Sequence, residues 1–185
     1  MRITAQKSPS ASNLILKKQI ILGELLSIHL LKEVGCPQWV IIHSKKVAEK
    51  ALEISKNFKV DKKLIKKGAI LHDIGRCKTN GIQHGIIGAK ILQEKGYPQE
   101  IIRIVERHIG AGIPKNEAVL LGLPPQDYIP VTLEEKIVAH ADNLINGEKE
   151  VDISFVLKKW KKRLGEKHPA IERLKNLHKE LIGTL

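Results

Sequence analysis

The sequence predicts an all-α protein, and three observations carry that expectation. Apolar residues recur at three- and four-residue spacings along nearly the whole chain, and no stretch sustains strand-like alternation with β-branched enrichment. Glycines, prolines and capping side chains punctuate the pattern at intervals that suit helix ends.

Taken in order, Ser12 is placed to cap a first helix over about residues 13–34, closed by Gly35. Pro37 opens a second over about 38–58, since a proline at a helix start forfeits no hydrogen bond. Asp61 is the expected N-cap of a third, which ends at Gly75. A fourth spans about 83–95 before Gly96, and a fifth about 98–108 before Gly110 or Gly112. Residues 109–130 hold three of the 14 glycines and four of the eight prolines, with one short apolar turn at 118–121. That composition reads as a long loop and a candidate lid. Thr132 followed by Glu135 is a capping box that starts a helix running to Asn146. Residues 154–185 are expected to be helical with a break near His168-Pro169, and they carry nine Lys/Arg against three Asp/Glu. The resulting organisation is a flexible N-terminus at 1–12, one helical domain over 13–150, and a basic helical appendage at 151–185 packed on that domain.

Composition narrows the function classes. The 185 residues include 32 Lys plus Arg and 20 Asp plus Glu, a formal charge of +12, with 42% hydrophobic and 28% charged residues. This is enough apolar material for a core and argues against global disorder. No apolar run approaches the roughly 18 to 20 residues needed to span a bilayer, and residues 1–12 lack the apolar stretch of a secretion signal. Cys36 and Cys77 form no CxxC pair and no disulfide framework. A cytoplasmic location, without a membrane partner, is the expectation. Two Trp, two Tyr and two Phe offer few rings for stacking bases, which weighs against a single-strand-binding protein.

Chemistry concentrates where polar groups occupy places that helical spacing assigns to apolar ones. His43 shares a face with Val40, Val47 and Ala51, and His108 follows Ile101, Ile104 and Val105 at i, i+3, i+4, i+7. Asp142 stands among Val138, Ala141 and Ile145 in the same way. His72 and Asp73 sit together at the end of an apolar helix, and His84 opens the next one. A single core histidine is ordinarily just hydrogen-bonded. Four imidazoles and two carboxylates directed inward from several helices call for a cation, because unpaired buried carboxylates are costly. The N and O donor set suits iron, manganese, cobalt or zinc.

The ordered set His43, His72-Asp73, His84, His108 and Asp142 resembles the H…HD…H…H…D pattern of the HD-domain metal-dependent phosphohydrolases. The HDIG form is present whole as His72-Asp73-Ile74-Gly75. The resemblance covers about residues 38–146 and is similar in character to small stand-alone archaeal HDIG proteins. It implies an HD-domain helical bundle in which His43, His72, Asp73 and Asp142 bind one divalent transition metal, while His84 and His108 bind a second and Asp73 bridges the two. It further implies hydrolysis of a phosphoester or phosphoanhydride, with a nucleotide as the expected small-molecule substrate. Asp73 and Arg76 are the candidate catalytic residues: Arg76 follows HDIG directly and can clamp a phosphate bidentately or answer the helix dipole.

The segments HGIIGAKIL, VERHIGAG and LEEKIVAHADNL also resemble the HD-type diadenosine tetraphosphate hydrolases. Those read HDIAK and carry an acidic signature where this chain has Asn143-Leu144-Ile145-Asn146. The HD-GYP phosphodiesterases carry Lys after HDIG, whereas this chain has Arg76, no doubled histidine after His108 and no GYP segment. Cyclic-di-GMP hydrolysis is therefore disfavoured. Two other readings stay open. One is a mononuclear nucleotidase in which His84 and His108 serve substrate or protons. The other is a metal-stapled module that binds RNA or another polyanion through its basic C-terminus; a solvated helix face, with Trp160 and Leu164 docking on the domain, is favoured for that segment. Lys46 and Arg107 read as solvated charges, His140 as a packing or ligand-supporting residue, and His29, His168 and His178 as surface or cap residues.

Overall fold

The computed structural model describes residues 23–183. The flexible 1–12 segment, the Ser12 cap and the first part of the opening helix lie outside the described residues. Helix α1 occupies 23–33. It is followed by α2 (Gln38–Ile54), α3 (Lys62–Leu71), α4 (His84–Glu94), α5 (Gln99–Arg107), α6 (Lys115–Leu120), α7 (Leu133–Asn143), α8 (Ile153–Leu164) and α9 (Pro169–Leu181). The architecture is all-α, with one short hairpin among the described residues, β1 (Ile145–Asn146) and β2 (Lys149–Glu150).

Local chemistry sets these elements. Asp61 caps α3 by accepting from the N–H groups of Lys63 and Leu64 at 2.8 and 3.1 Å, and Asp152 caps α8 through Phe155 N–H at 2.7 Å. Thr132 accepts from Glu135 N–H at 3.2 Å, which is half of the expected capping box. The other half is replaced. Glu135 directs its carboxylate to Val131 N–H at 2.8 Å and to Arg107 at 3.1 Å, so Arg107 is paired to a buried acid instead of being solvated.

Helices α2, α3, α5 and α7 pack on one another around Val40, Val47, Ile65, Ile104, Val105 and Ile137. Helix α4 packs on α5 and on the 3₁₀ turn Ile74–Cys77. Leu174, Leu177 and Leu181 of α9 enter this same core, each burying a side chain worth about 2 kcal/mol. The basic C-terminal segment is thus docked, with Trp160 half-buried against the core.

Several boundaries differ from the sequence expectation. Helix α2, expected to run to about residue 58, stops at Ile54 and gives way to a 3₁₀ turn at Ser55–Asn57. Helix α3 stops at Leu71, and the chain tightens into the 3₁₀ turn because Gly75 lies against α4. A Cβ at Gly75 would strike the His84 carbonyl and reach 2.7 Å from Gly88 N. Helix α7 stops at Asn143, short of Asn146, because residues 145–150 turn back as the hairpin, with Gly147 at φ +67°. The 109–130 stretch holds more order than a loop. It contains α6 and a bridge between Ile113 and Tyr128, closed over a small cluster with Ala118 and Leu123. Among the described residues, no helix is long and apolar enough to cross a membrane.

Candidate metal centre

The ends of α3, α5 and α7, the start of α4 and the middle of α2 meet at one end of the bundle. There the structure brings together His43, His72, Asp73, His84, His108 and Asp142. All four histidines and Asp73 are buried; the Asp142 side chain is 23% exposed, at the mouth of a cavity of about 540 Å³.

Each imidazole is held by the same device. The Nδ1 atoms of His43, His72, His84 and His108 lie 2.8, 2.7, 2.8 and 2.7 Å from the carbonyl oxygens of Gly147, Ala69, Gly81 and Val105. A carbonyl only accepts, so each Nδ1 carries the proton and donates. Every Nε2 is left with a lone pair, and all four are turned towards the two carboxylates. His43 Nε2 is 2.9 Å from Asp142 Oδ1, and His72 Nε2 is 3.4 Å from the same oxygen. His84 and His108 present Nε2 at 3.2 and 3.5 Å to Asp73 Oδ1. The other Asp73 oxygen lies 3.7 Å from His72 Nε2 and accepts from Arg76 Nε at 2.6 Å.

This arrangement is unfavourable without added positive charge. His84 and His108 bring their Nε2 atoms within 3.0 Å, two lone pairs face to face. His72 Nε2 and Asp73 Oδ1 are buried with no hydrogen-bond partner. With protons as the only cations, burial opposes charge on His72, yet the adjacent Asp73 and Asp142 carboxylates prevail and push its pKa up to about 9. Burial likewise works against charge on Asp73, and the facing histidines, His72 foremost, hold it well below the usual carboxylate range. Asp142 is depressed in the same way by His43 and His72 against the cost of burial. Burial lowers His108. Three interlocking groups, His43/His72/Asp73, His72/His108/Asp142 and Asp73/His84/His108, have donor atoms within 4.8 Å of one another. The donor set and its orphaned atoms fit a divalent cation.

Arg76 lines the cavity, its Nε on Asp73 and its guanidinium carbon 5.7 Å from the centre of the Trp39 ring. Lys46 lies away from that cavity, paired at the surface with Glu49. His140 does not join the cluster. It is fully buried and lies Nε2 to Nδ1 at 3.0 Å from His178, so His178 is an interior residue and not the surface or cap residue expected from sequence. Among the cavity residues to which sequence reasoning gave no site role are Trp39, Lys159, Trp160 and Arg163. The available signal was the Val156, Trp160, Leu164 spacing on α8, which carries Lys159 and Arg163 on the same side.

Comparison with known proteins gives the following. The HD domain family model matches residues 40–147. An uncharacterized protein of Methanocaldococcus jannaschii is 52% identical over 155 residues, covering 81% of this chain and 92% of that protein. A tRNA (cytidine(56)-2'-O)-methyltransferase of Thermoplasma volcanium is 46% identical over 169 residues, covering 91% of this chain. The chain spans about half of that methyltransferase, 49% of its length. Among solved structures, the HD domain of the L. monocytogenes phosphodiesterase PgpH in complex with cyclic-di-AMP superposes with a TM-score of 0.53 at 19% identity. That match covers 80% of this chain and 92% of the other.

Proposed function

This chain belongs to the HD-domain family of metal-dependent phosphohydrolases, and from that premise we propose that it hydrolyses a phosphoester or phosphoanhydride of a nucleotide at a two-metal site. The observation that carries the reading is the convergence of four Nε2 lone pairs on two carboxylates, buried Asp73 and partly exposed Asp142, each ring fixed by a carbonyl at its Nδ1.

In this reading His43, His72, Asp73 and Asp142 hold one divalent ion, and His84 and His108 hold the second. Asp73 serves both, since its two oxygens face different histidines. Bound divalent ions supply Lewis acidity, lowering the pKa of water and offsetting the charge that builds on an attacked phosphoryl group. The chain's own residues do the positioning. Arg76 spends its Nε on Asp73 and donates from one terminal nitrogen to the Asn80 carbonyl at 3.4 Å, which leaves its remaining N–H groups on the cavity wall to meet phosphate oxygens. Burial of the four histidines and Asp73 at the cavity floor strengthens the polar contacts among them. The resemblance to a tRNA methyltransferase over half its length supports placing RNA-derived nucleotides first in a substrate panel.

The test is metal content in protein purified without chelator under low oxygen, followed by phosphate release from a nucleotide panel with Mn, Fe, Co and Zn. Two transition metals per chain, one in His84→Ala and none in Asp73→Ala, is the expected result. One metal in both wild type and His84→Ala overturns the two-metal site in favour of the mononuclear reading. Wild-type turnover in Asp73→Ala overturns the mechanism.

A further inference from the structure

Both tryptophans of the chain, Trp39 and Trp160, line the cavity above the metal centre. Helix α8 contributes Lys159, Trp160 and Arg163 to the lining that also includes Asp73 and His84. These three share one side of α8, at i, i+1 and i+4, continuous with the buried Val156 that anchors the helix. Lys158 and Lys162 belong to the same basic run but do not line the cavity. The charges facing inward are largely uncompensated. Arg163 is exposed and has no hydrogen-bond or ion-pair partner among the described residues, and Lys159 reaches only the neutral Asn146 at 3.0 Å. Arg173, also on this wall, is by contrast occupied by Glu117 at 2.5 Å.

We propose that Lys159 and Arg163 form a second phosphate subsite, with Trp160 as an adjoining stacking surface, so that the preferred substrate is a nucleotide carrying a second phosphate group. The proposal rests on the phosphohydrolase reading for the first phosphate, which would lie at Arg76 and the metal centre. The reasons are physical. A lone guanidinium and an ammonium group facing a shared cavity attract an anion, and a cavity with low-dielectric walls focuses that attraction. The Trp160 indole beside them offers a surface on which a base can stack without sequence preference. A cavity of about 540 Å³ has room for more than one phosphate with its nucleoside.

The test is equilibrium binding, read from tryptophan fluorescence, which here reports only Trp39 and Trp160. Adenosine 5′-monophosphate, adenosine 5′-diphosphate and the dinucleotide pApA are titrated into wild type, Lys159→Ala/Arg163→Ala and Lys158→Ala/Lys162→Ala. The last variant removes the same charge from the other side of α8. At least one two-phosphate ligand is expected to bind wild type about tenfold more tightly than the monophosphate. The Lys159/Arg163 variant should erase that advantage while leaving monophosphate affinity within about twofold, and the Lys158/Lys162 variant should keep it. Preference for pApA assigns an ester-linked second phosphate, and preference for the diphosphate an anhydride-linked one.

Equal binding of all three ligands to wild type, no binding of any, or equal losses in the two double variants overturns the subsite. Selective binding without phosphate release from any nucleotide would leave the subsite standing and remove the hydrolase reading. Turnover without two-phosphate preference would do the reverse.

Discussion

Replacing His140 with Gln removes one buried titratable ring while keeping an amide that can donate to His178. In the wild type, burial, aided by the nearby charges of His178 and Lys50, pushes His140 down from 6.5 to about 3. Its Nε2 meets His178 Nδ1 at 3.0 Å, and its Nδ1 is buried without a partner. Protonating the ring would therefore place an N–H donor and a charge where nothing accepts them. The unfolded chain takes up a proton at His140 near pH 6.5, and the folded chain resists until about pH 3. Between those values the unfolded state binds more protons. Stability is accordingly intact above pH 6.5 and falls as pH is lowered through the window. At pH 5, at 1.36 kcal/mol per pH unit below the unfolded-chain value, the loss due to His140 is about 2 kcal/mol. Urea unfolding of both proteins at about pH 7.5 and pH 5, in chelator, measures it. Titrating groups away from this pair, including the His/Asp cluster, are common to both and cancel in the difference. Wild type should lose about 2 kcal/mol more than His140→Gln across that interval. Equal losses would refute the buried neutral imidazole.

Other expectations bear on the frame of the site. Gly75→Ala forces a Cβ into the His84 carbonyl and against Gly88 N, so α4 must move off the 3₁₀ turn. A loss of about 3 kcal/mol or more is expected, together with weaker metal retention through displaced His84; an unchanged melting temperature and metal content would contradict the close approach. Leu174→Ala empties a fully buried position between α9 and the bundle and should cost about 2 to 5 kcal/mol in denaturant unfolding. A cost below about 1 kcal/mol would mean that α9 is not part of the core.

Of the six clustered side chains, His43, His108 and Asp142 were legible because each occupies a position that helical spacing assigns to the core, where a polar group calls for a reason. HDIG is a local string that can be read without knowing the fold. What escaped is tertiary. The hairpin at 145–150 has strands too short for alternation to register. The partner of His140 lies 38 residues away on another helix, so nothing local distinguishes His178 from a surface histidine. Glu135 was read correctly as a helix-start residue, but its carboxylate is claimed by Val131 and Arg107, a competition invisible in the capping pattern. The KKWKKR run reads as solvated by charge alone. Only docking of α8 decides that Lys159 and Arg163 face inward while Lys158 and Lys162 do not.

The carbonyl anchors of the four histidines are not alike in how the chain provides them. His72, His84 and His108 each bond the carbonyl three residues earlier, so their rings are aimed by single turns of backbone whose closure costs little chain entropy. His43 takes its carbonyl from Gly147, 104 residues downstream, at the tip of the hairpin that follows Asp142. Half of the centre is thus prefabricated within local segments, and the other half is sealed only when the two ends of the family domain have met. On the proposed two-metal reading, an ion held by His43 and Asp142 would report that residues 43 and 147 have been brought together in the finished fold.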